Sequence, residues 1–244
     1  LAPARDLLVA VYISSDRLQE AHDEIEATLL KSPKNQAALM ILASIEERQN
    51  EYAKAALAYE KVLAFEPNSL AALNNLAYLL GEQLNQGEKA VKLARKARSL
   101  APDNPAVADT LGWVMFKRGD YQQALDLSQE AANRVPDNPE IQFHLGMAHY
   151  MMGQTDPAQS AFQRALAASH DFPDKAETQR RLSLLNQTDT GPNAPTLGQM
   201  EEMLAQYPDD VLARIRLGDR YQKENAFDRA ATAYEQALES NPKL

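Results

Sequence analysis

The sequence predicts an all-α solenoid of about seven helix–turn–helix units. Two landmarks and one rhythm point to it. Prolines that close a helical run fall at Pro33, Pro67, Pro102, Pro136, Pro208 and Pro242, with spacings of 34, 35, 34, 72 and 34. The alanines Ala21, Ala55, Ala90, Ala124, Ala158 and Ala230 step by 34, 35, 34, 34 and 72. Between these landmarks apolar residues recur at helical spacing in two runs per unit, joined by a short turn.

The units run 2–35, 36–69, 70–104, 105–138, 139–172, 173–210 and 211–244, and are read as one continuous solenoid over 1–244. The third carries one extra residue in "GEQLNQGEK". In the fourth, Asn104 before Pro105 is an N-cap followed by an N1 proline, opening a helix over 105–117; a second follows over 121–135. Asn138–Pro139 repeats the device. Gly119 marks the turn. Gly112 and Ala124 are small where the two helices must approach, so Ala124→Leu should overpack the contact by roughly 1–3 kcal/mol. The fifth unit has His170 where proline is usual. The sixth is degenerate and accounts for the shared 72: its first helix reads "PDKAETQRRLSLLNQ" and its second opens at Thr196, where "TLGQ" is a capping box. The turn between them, "TDTGPNAP", is longer than the others, and the 186–195 stretch reads as a tolerated loop or a soft joint.

This pattern closely resembles the tetratricopeptide repeat. The last unit carries it in Leu217, Gly218, Tyr221, Phe227, Ala230, Tyr234, Ala237, Leu238 and Pro242, and Leu111, Gly112, Leu145, Gly146 and Phe162 carry it in earlier units. The resemblance implies a right-handed superhelix whose first helices line a concave groove. Carried over position by position, the groove residues are Asn74, Tyr78 and Glu82 in the third unit, Asp109, Trp113, Phe116 and Lys117 in the fourth, and Phe143, Met147, Tyr150 and Met151 in the fifth. Trp113, the only tryptophan, stands where the groove is lined rather than where the family's tryptophan usually sits. Trp113, Phe116 and Tyr150 are expected to be at least partly exposed anchors, with Asn74, Asp109 and Lys117 setting orientation. Phe143 and Met147 suit binding and inter-helix packing equally. Rings supply contact area and thioethers shape tolerance, which fits an extended peptide or an amphipathic helix; sugar rings would stack on the same aromatics. A carboxylate clamp of the kind that grips chaperone tails would place Asn75 at its centre, but its flanks are Met40, Ser44, Ala106 and Thr110 rather than cations.

Composition narrows the function. The 244 residues are 45% hydrophobic and 24% charged, with a net charge of −9 and no cysteine. No Lys/Arg block exists to neutralise phosphates, so nucleic acid is not an expected partner. Disulfides and thiolate metal sites are excluded. His144 and His149 in "HLGMAH" are five apart and splay around a helix, so no metal is expected, and no nucleophile elbow, phosphate loop or dinucleotide motif occurs. Neither cofactor nor catalysis is expected. The start, "LAPARDLLVAVYISS", is not an intact signal peptide, and the chain stops at "NPKL", where an eighth unit or a polar cap would begin. The expectation is a piece of a longer protein, or one that self-associates through its open ends. "ALNNLAYLL", "PDNPAVADTLGWV" and "PDNPEIQFHLGMAHYMMGQ" are similar to bacterial tetratricopeptide proteins of the cell envelope, including those of exopolysaccharide export. That similarity implies a periplasmic or envelope address rather than a cytoplasmic one. The function so read is a non-catalytic protein-binding scaffold, with an exopolysaccharide-secretion scaffold or a recruiting segment of a larger enzyme as alternatives.

Overall fold

The computed structural model describes residues 2–168, 171–187, 194–208 and 210–241. Among these lie fourteen α-helices and no strand. They are α1 (Ala2–Ser14), α2 (Leu18–Lys31), α3 (Gln36–Arg48), α4 (Tyr52–Phe65), α5 (Leu70–Glu82), α6 (Gly87–Leu100), α7 (Pro105–Lys117), α8 (Tyr121–Arg134), α9 (Pro139–Met151), α10 (Thr155–Ala167), α11 (Lys175–Asn186), α12 (Leu197–Gln206), α13 (Val211–Lys223) and α14 (Phe227–Ser240). The chain divides into two compact units, Leu1–Lys117 and Arg118–Leu244. The division falls between the two helices of the 105–138 repeat.

Local chemistry sets the helix ends. Asn35, Asn138 and Asp210 each accept a backbone N–H from the first turn of α3, α9 and α13, and Asn104 accepts from Ala106 and Val107 at the start of α7. Each such cap is worth about 1 kcal/mol. Thr196 and Gln199 form the capping box that opens α12. At the other ends, Ser32, Glu66, Ala101, Val135 and Tyr207 leave helical geometry with φ between −124° and −140°. Each stands immediately before a proline, whose Cδ excludes the α region for its predecessor.

The turns inside the repeats share a second device. Asp16, Asn50, Asn85, Gly119, Gly153 and Asn225 all have positive φ, between 50° and 80°. Their spacings, 34, 35, 34, 34 and 72, are those of the landmark alanines. One residue per turn must reverse the chain through the left-handed region, which glycine enters freely and Asn or Asp at modest cost.

In the first unit, helices pack on their neighbours in sequence from α1 to α7, and α5 also meets α7. Leu73, Ala97 and Val107 form one buried cluster there, flanked by Leu63, Leu70 and Leu93. In the second unit α9 packs between α8 and α10, α10 meets α11, α12 meets α13, and α13 pairs with α14 and also touches α9. The alanines Ala21, Ala55, Ala90, Ala124, Ala158 and Ala230 are all buried. A small side chain at that place lets each helix approach its neighbour closely.

Candidate functional site

On the first unit, Glu82 at the end of α5 gathers the residues of α7. Its carboxylate accepts the indole N–H of Trp113 at 2.8 Å and lies 3.3 Å from the Lys117 ammonium. That ammonium in turn sits 5.8 Å from the centre of the Trp113 ring. Trp113 stacks flat on Phe116, with centroids 4.8 Å apart and planes 4° from parallel. Trp113 is therefore not the exposed anchor expected: only 6% of its surface is open. An indole can bury its body only if its N–H finds a partner, and Glu82 provides one. Phe116, Asn74 and Tyr78 are half-buried, and Lys117 is exposed, while Asp109 is buried. The Asn74 side-chain oxygen is shielded from solvent and accepts no hydrogen bond within the described structure.

A second polar chain runs beside this one. Asn75 donates to the Tyr59 hydroxyl at 3.4 Å, and Tyr59 donates to Glu47 at 2.6 Å. Burial raises the Glu47 carboxyl above its ordinary value against the opposing Tyr59 bond. Burial and then the Glu47 bond hold the Tyr59 phenol in its neutral form.

On the second unit, the α9 residues that sequence places in a groove are enclosed. Eleven of the thirteen residues of α9 are buried, among them Phe143, Met147, Tyr150 and Met151. One side is closed by α10. The absent side chain of Gly146 admits the Phe162 ring, whose atoms lie 2.5 Å from where a Cβ would be. Phe143 and Tyr150 flank that ring at 6.3 and 6.4 Å. Elsewhere on α9, Tyr150, also expected to be exposed, is 1% open. Its hydroxyl donates to Asp210 at 2.6 Å, and its phenol is held protonated by burial and then by that carboxylate.

Asp210 is the centre of this arrangement, and its side chain has no exposed surface. One oxygen also caps α13, while the other accepts from Arg180 at 3.1 Å and Arg181 at 2.9 Å. Glu177 bonds both guanidinium groups from the same helix. Burial works against the Glu177 charge, but the Arg180 bond and the Arg181 charge outweigh it and hold its pKa below the ordinary value. Arg180 lies 3.8 Å above the Tyr207 ring and Arg181 4.7 Å above that of Tyr150. Two positive charges on one buried carboxylate, each with a further acid or ring, satisfy a group that would otherwise be too costly to bury. Sequence reading named none of the four charged residues. The Glu177–Arg180 and Glu177–Arg181 spacings were the available signal, since three and four residues place side chains together on a helix.

His149 bonds Gln154, and among the described residues no three His, Cys, Asp or Glu side chains stand close enough to hold a metal ion. No helix among the described residues is long and apolar enough to cross a membrane. The 186–195 loop lies largely outside the described residues, as does His170.

Comparison with known proteins gives one answer throughout. Models described as tetratricopeptide repeat match residues 9–69, 115–182 and 212–244. A TPR repeat-containing protein of Pseudomonas aeruginosa is 30% identical over 111 residues, 46% of this chain and 19% of that protein. The chain thus matches about a fifth of the length of that curated relative. Among solved structures, PilW, a widely conserved type IV pilus biogenesis factor, is 20% identical with a TM-score of 0.61, over 98% of this chain and 92% of its own. TTC0263, a thermophilic TPR protein of Thermus thermophilus, is also 20% identical with a TM-score of 0.61, over 76% of this chain and 98% of its own. A tetratricopeptide repeat protein from Parabacteroides merdae is 16% identical, with a TM-score of 0.57 over 98% and 93%. At these identities the structural likeness speaks for the fold.

Proposed function

We propose, for a chain that belongs to the tetratricopeptide-repeat family, the role of a non-catalytic scaffold that grips a protein partner on the inner helices of its first unit. The observation that carries this reading is the ladder on α5 and α7. Lys117 is exposed beside a Trp113–Phe116 stack, Tyr78 is half-buried nearby on α5, and Asn74 carries a shielded carbonyl oxygen with no donor. A buried polar group left unmet costs about 1–3 kcal/mol, so Asn74 gains when its side chain rotates to present that oxygen to a peptide backbone N–H. An extended peptide or a helix could supply that donor while an acidic side chain meets Lys117. Asp109, Phe143, Met147, Tyr150 and Met151 support the fold in this reading rather than touching the partner.

The test is affinity capture from an extract of the source organism. The bait is the chain itself beside an Asn74→Ala/Lys117→Glu variant, chosen because Lys117 is exposed and Asn74 only half-buried. A prey held by the first and lost by the second supports the reading and identifies the partner. The same prey on both, with helicity and melting temperature unchanged, removes this face from consideration. The envelope and exopolysaccharide reading rests on the sequence resemblance of units three to five. Its own assay is retention of purified glycan, lost when Phe116 is replaced by Ala. A role as a recruiting segment requires a catalytic domain in the same polypeptide, which reading the whole gene tests.

A further inference from the structure

In the second unit, the α12–α14 segment has an apolar cluster of its own. Met200, Leu204, Ala213, Leu217, Tyr221, Ala230 and Ala233 pack together, with Leu197, Met203, Ala226 and Tyr234 around them. Val211, Leu212 and Ala237 of α13–α14 are buried outside that cluster, and a set of hydrogen bonds and ion pairs also ties these helices to α8, α9 and α11. Tyr150 and the Arg180–Arg181 pair hold Asp210. Arg216 donates to the Leu184 carbonyl. At the far end of the repeat, the Asn241 amide donates to the Met151 carbonyl and Tyr121 donates to the Ser240 carbonyl at 3.5 Å. A segment with its own core, held at a mixed apolar and polar seam, resembles a docked partner more than a share of a common interior.

We infer that α9 and α11 form a helix-docking face that selects a carboxylate set just before a helix's first turn, and that the chain's own last repeat is its exchangeable resident. The chemistry of the face is visible in what it holds. Tyr150 supplies a hydroxyl, Arg180 and Arg181 supply two guanidinium groups, and all three converge on one Asp210 side chain with no exposed surface. Phe143, Met147 and Met151 are the apolar residues of the same helix. A partner that displaces the resident is therefore an amphipathic helix, or a pair of them, with an N-cap acid. Being tethered, the resident acts at an effective concentration of about millimolar. A competitor added in micromolar amounts reaches the face only when the resident's hold is weakened. This inference stands apart from the binding proposed for α5 and α7, because it uses other residues and another assay.

The experiment uses the full chain and a fluorescein-labelled synthetic peptide of residues 194–241, which keeps the whole α12–α14 cluster, followed by anisotropy. In the chain, Asp210→Asn keeps the cap on α13 but removes the charge from the arginines, and Tyr150→Phe removes one hydrogen bond only. The Asp210→Asn chain should bind the labelled peptide at least tenfold more tightly than the unaltered chain does, whereas Tyr150→Phe, which takes the same bond from resident and peptide alike, should leave that affinity unchanged. A peptide that itself carries Asp210→Asn should lose at least tenfold of that affinity. Hydrogen exchange on the unaltered chain should show α13–α14 opening at least tenfold more often than α9–α10. The inference is overturned if the three chains bind the peptide alike, or not at all. It is also overturned if α13–α14 and α9–α10 exchange only together, since the resident is then part of one indivisible core. Intact exchange protection in α9–α10 confirms that each variant is folded.

Discussion

Replacing Gly146 by alanine tests the packing of α9 against α10 with a single carbon. The new Cβ would stand 2.5 Å from two atoms of the Phe162 ring, about 0.9 Å inside the 3.4 Å at which ordinary contact begins. Phe162 has no exposed surface and stands between Phe143 and Tyr150, so its ring has nowhere to withdraw. Overpacking of this kind costs roughly 1–3 kcal/mol. Alanine in place of glycine within a helix returns about 1 kcal/mol. The net expectation is a loss of up to about 2 kcal/mol, seen as a lower urea midpoint by circular dichroism with an unchanged slope. Gly218 supplies an internal control. Its Cβ would meet Tyr234 at 2.6 Å, but that ring is half-buried and can swing outward, so Gly218→Ala should cost less. Adding Phe162→Leu to Gly146→Ala should recover part of the loss, whereas Phe162→Leu alone should destabilise. A Gly146→Ala chain as stable as the parent, with no coupling to Phe162→Leu, would refute the reasoning.

Gly119→Ala should destabilise by about 1–2 kcal/mol through conformation alone: the residue has a φ of 80° and open space around it. Thermal melting checks this, and Gly119→Asn should cost clearly less than Gly119→Ala. Asp210→Ala strands two arginines and uncaps α13, for a loss of about 3–5 kcal/mol in chemical denaturation. The helices α3–α4 and α11–α13 should respond to acid in opposite senses. Glu46 and Glu47 have pKa values raised chiefly by burial. Their cost to folding is therefore full at neutral pH and is relieved as pH falls through the raised values toward 4.5. Glu177 has a lowered pKa. Its contribution is complete above 4.5 and is lost as pH falls through the lowered value. Hydrogen exchange at pH 7, 5.5 and 4, corrected for intrinsic rates, should show α3–α4 gaining protection while α11–α13 lose it. Finally, Trp113 fluorescence should be blue-shifted in the native chain and move red on unfolding, and Glu82→Gln should alter the native signal without displacing the melt by more than about 1 kcal/mol.

The helices were legible because repetition multiplies a weak signal. A lone alanine or proline says little, but Ala21 to Ala230 and Pro33 to Pro208 keep one register, and Pro105, Pro139 and Thr196 place three helix starts. The turns were half legible. Gly119 stands out as a turn glycine, while Asp16, Asn50, Asn85 and Asn225 hold the same backbone conformation with a side chain attached. The exposure of the aromatics was not legible. A groove position says which way a residue points from its own helix, not what arrives from elsewhere in the chain to meet it. Tyr150 meets Asp210, sixty residues away, and Trp113 meets Glu82, thirty-one away. Charged residues of a degenerate repeat look like solvated surface until the fold brings Glu177, Arg180, Arg181 and Asp210 together.

The positive-φ residues that punctuate the turns carry a consequence for how such chains lengthen and shorten. Asn50 and Asn85 both have positive φ and stand five residues before the buried Ala55 and Ala90, so they are interchangeable splice joints. Excising 51–85 would join α3 directly to α6, seating Ala90 where Ala55 had been and leaving Trp113 without Glu82. A genetic deletion or duplication in steps of one joint therefore changes the reach of the molecule and its binding surface together, while every remaining turn keeps its shape.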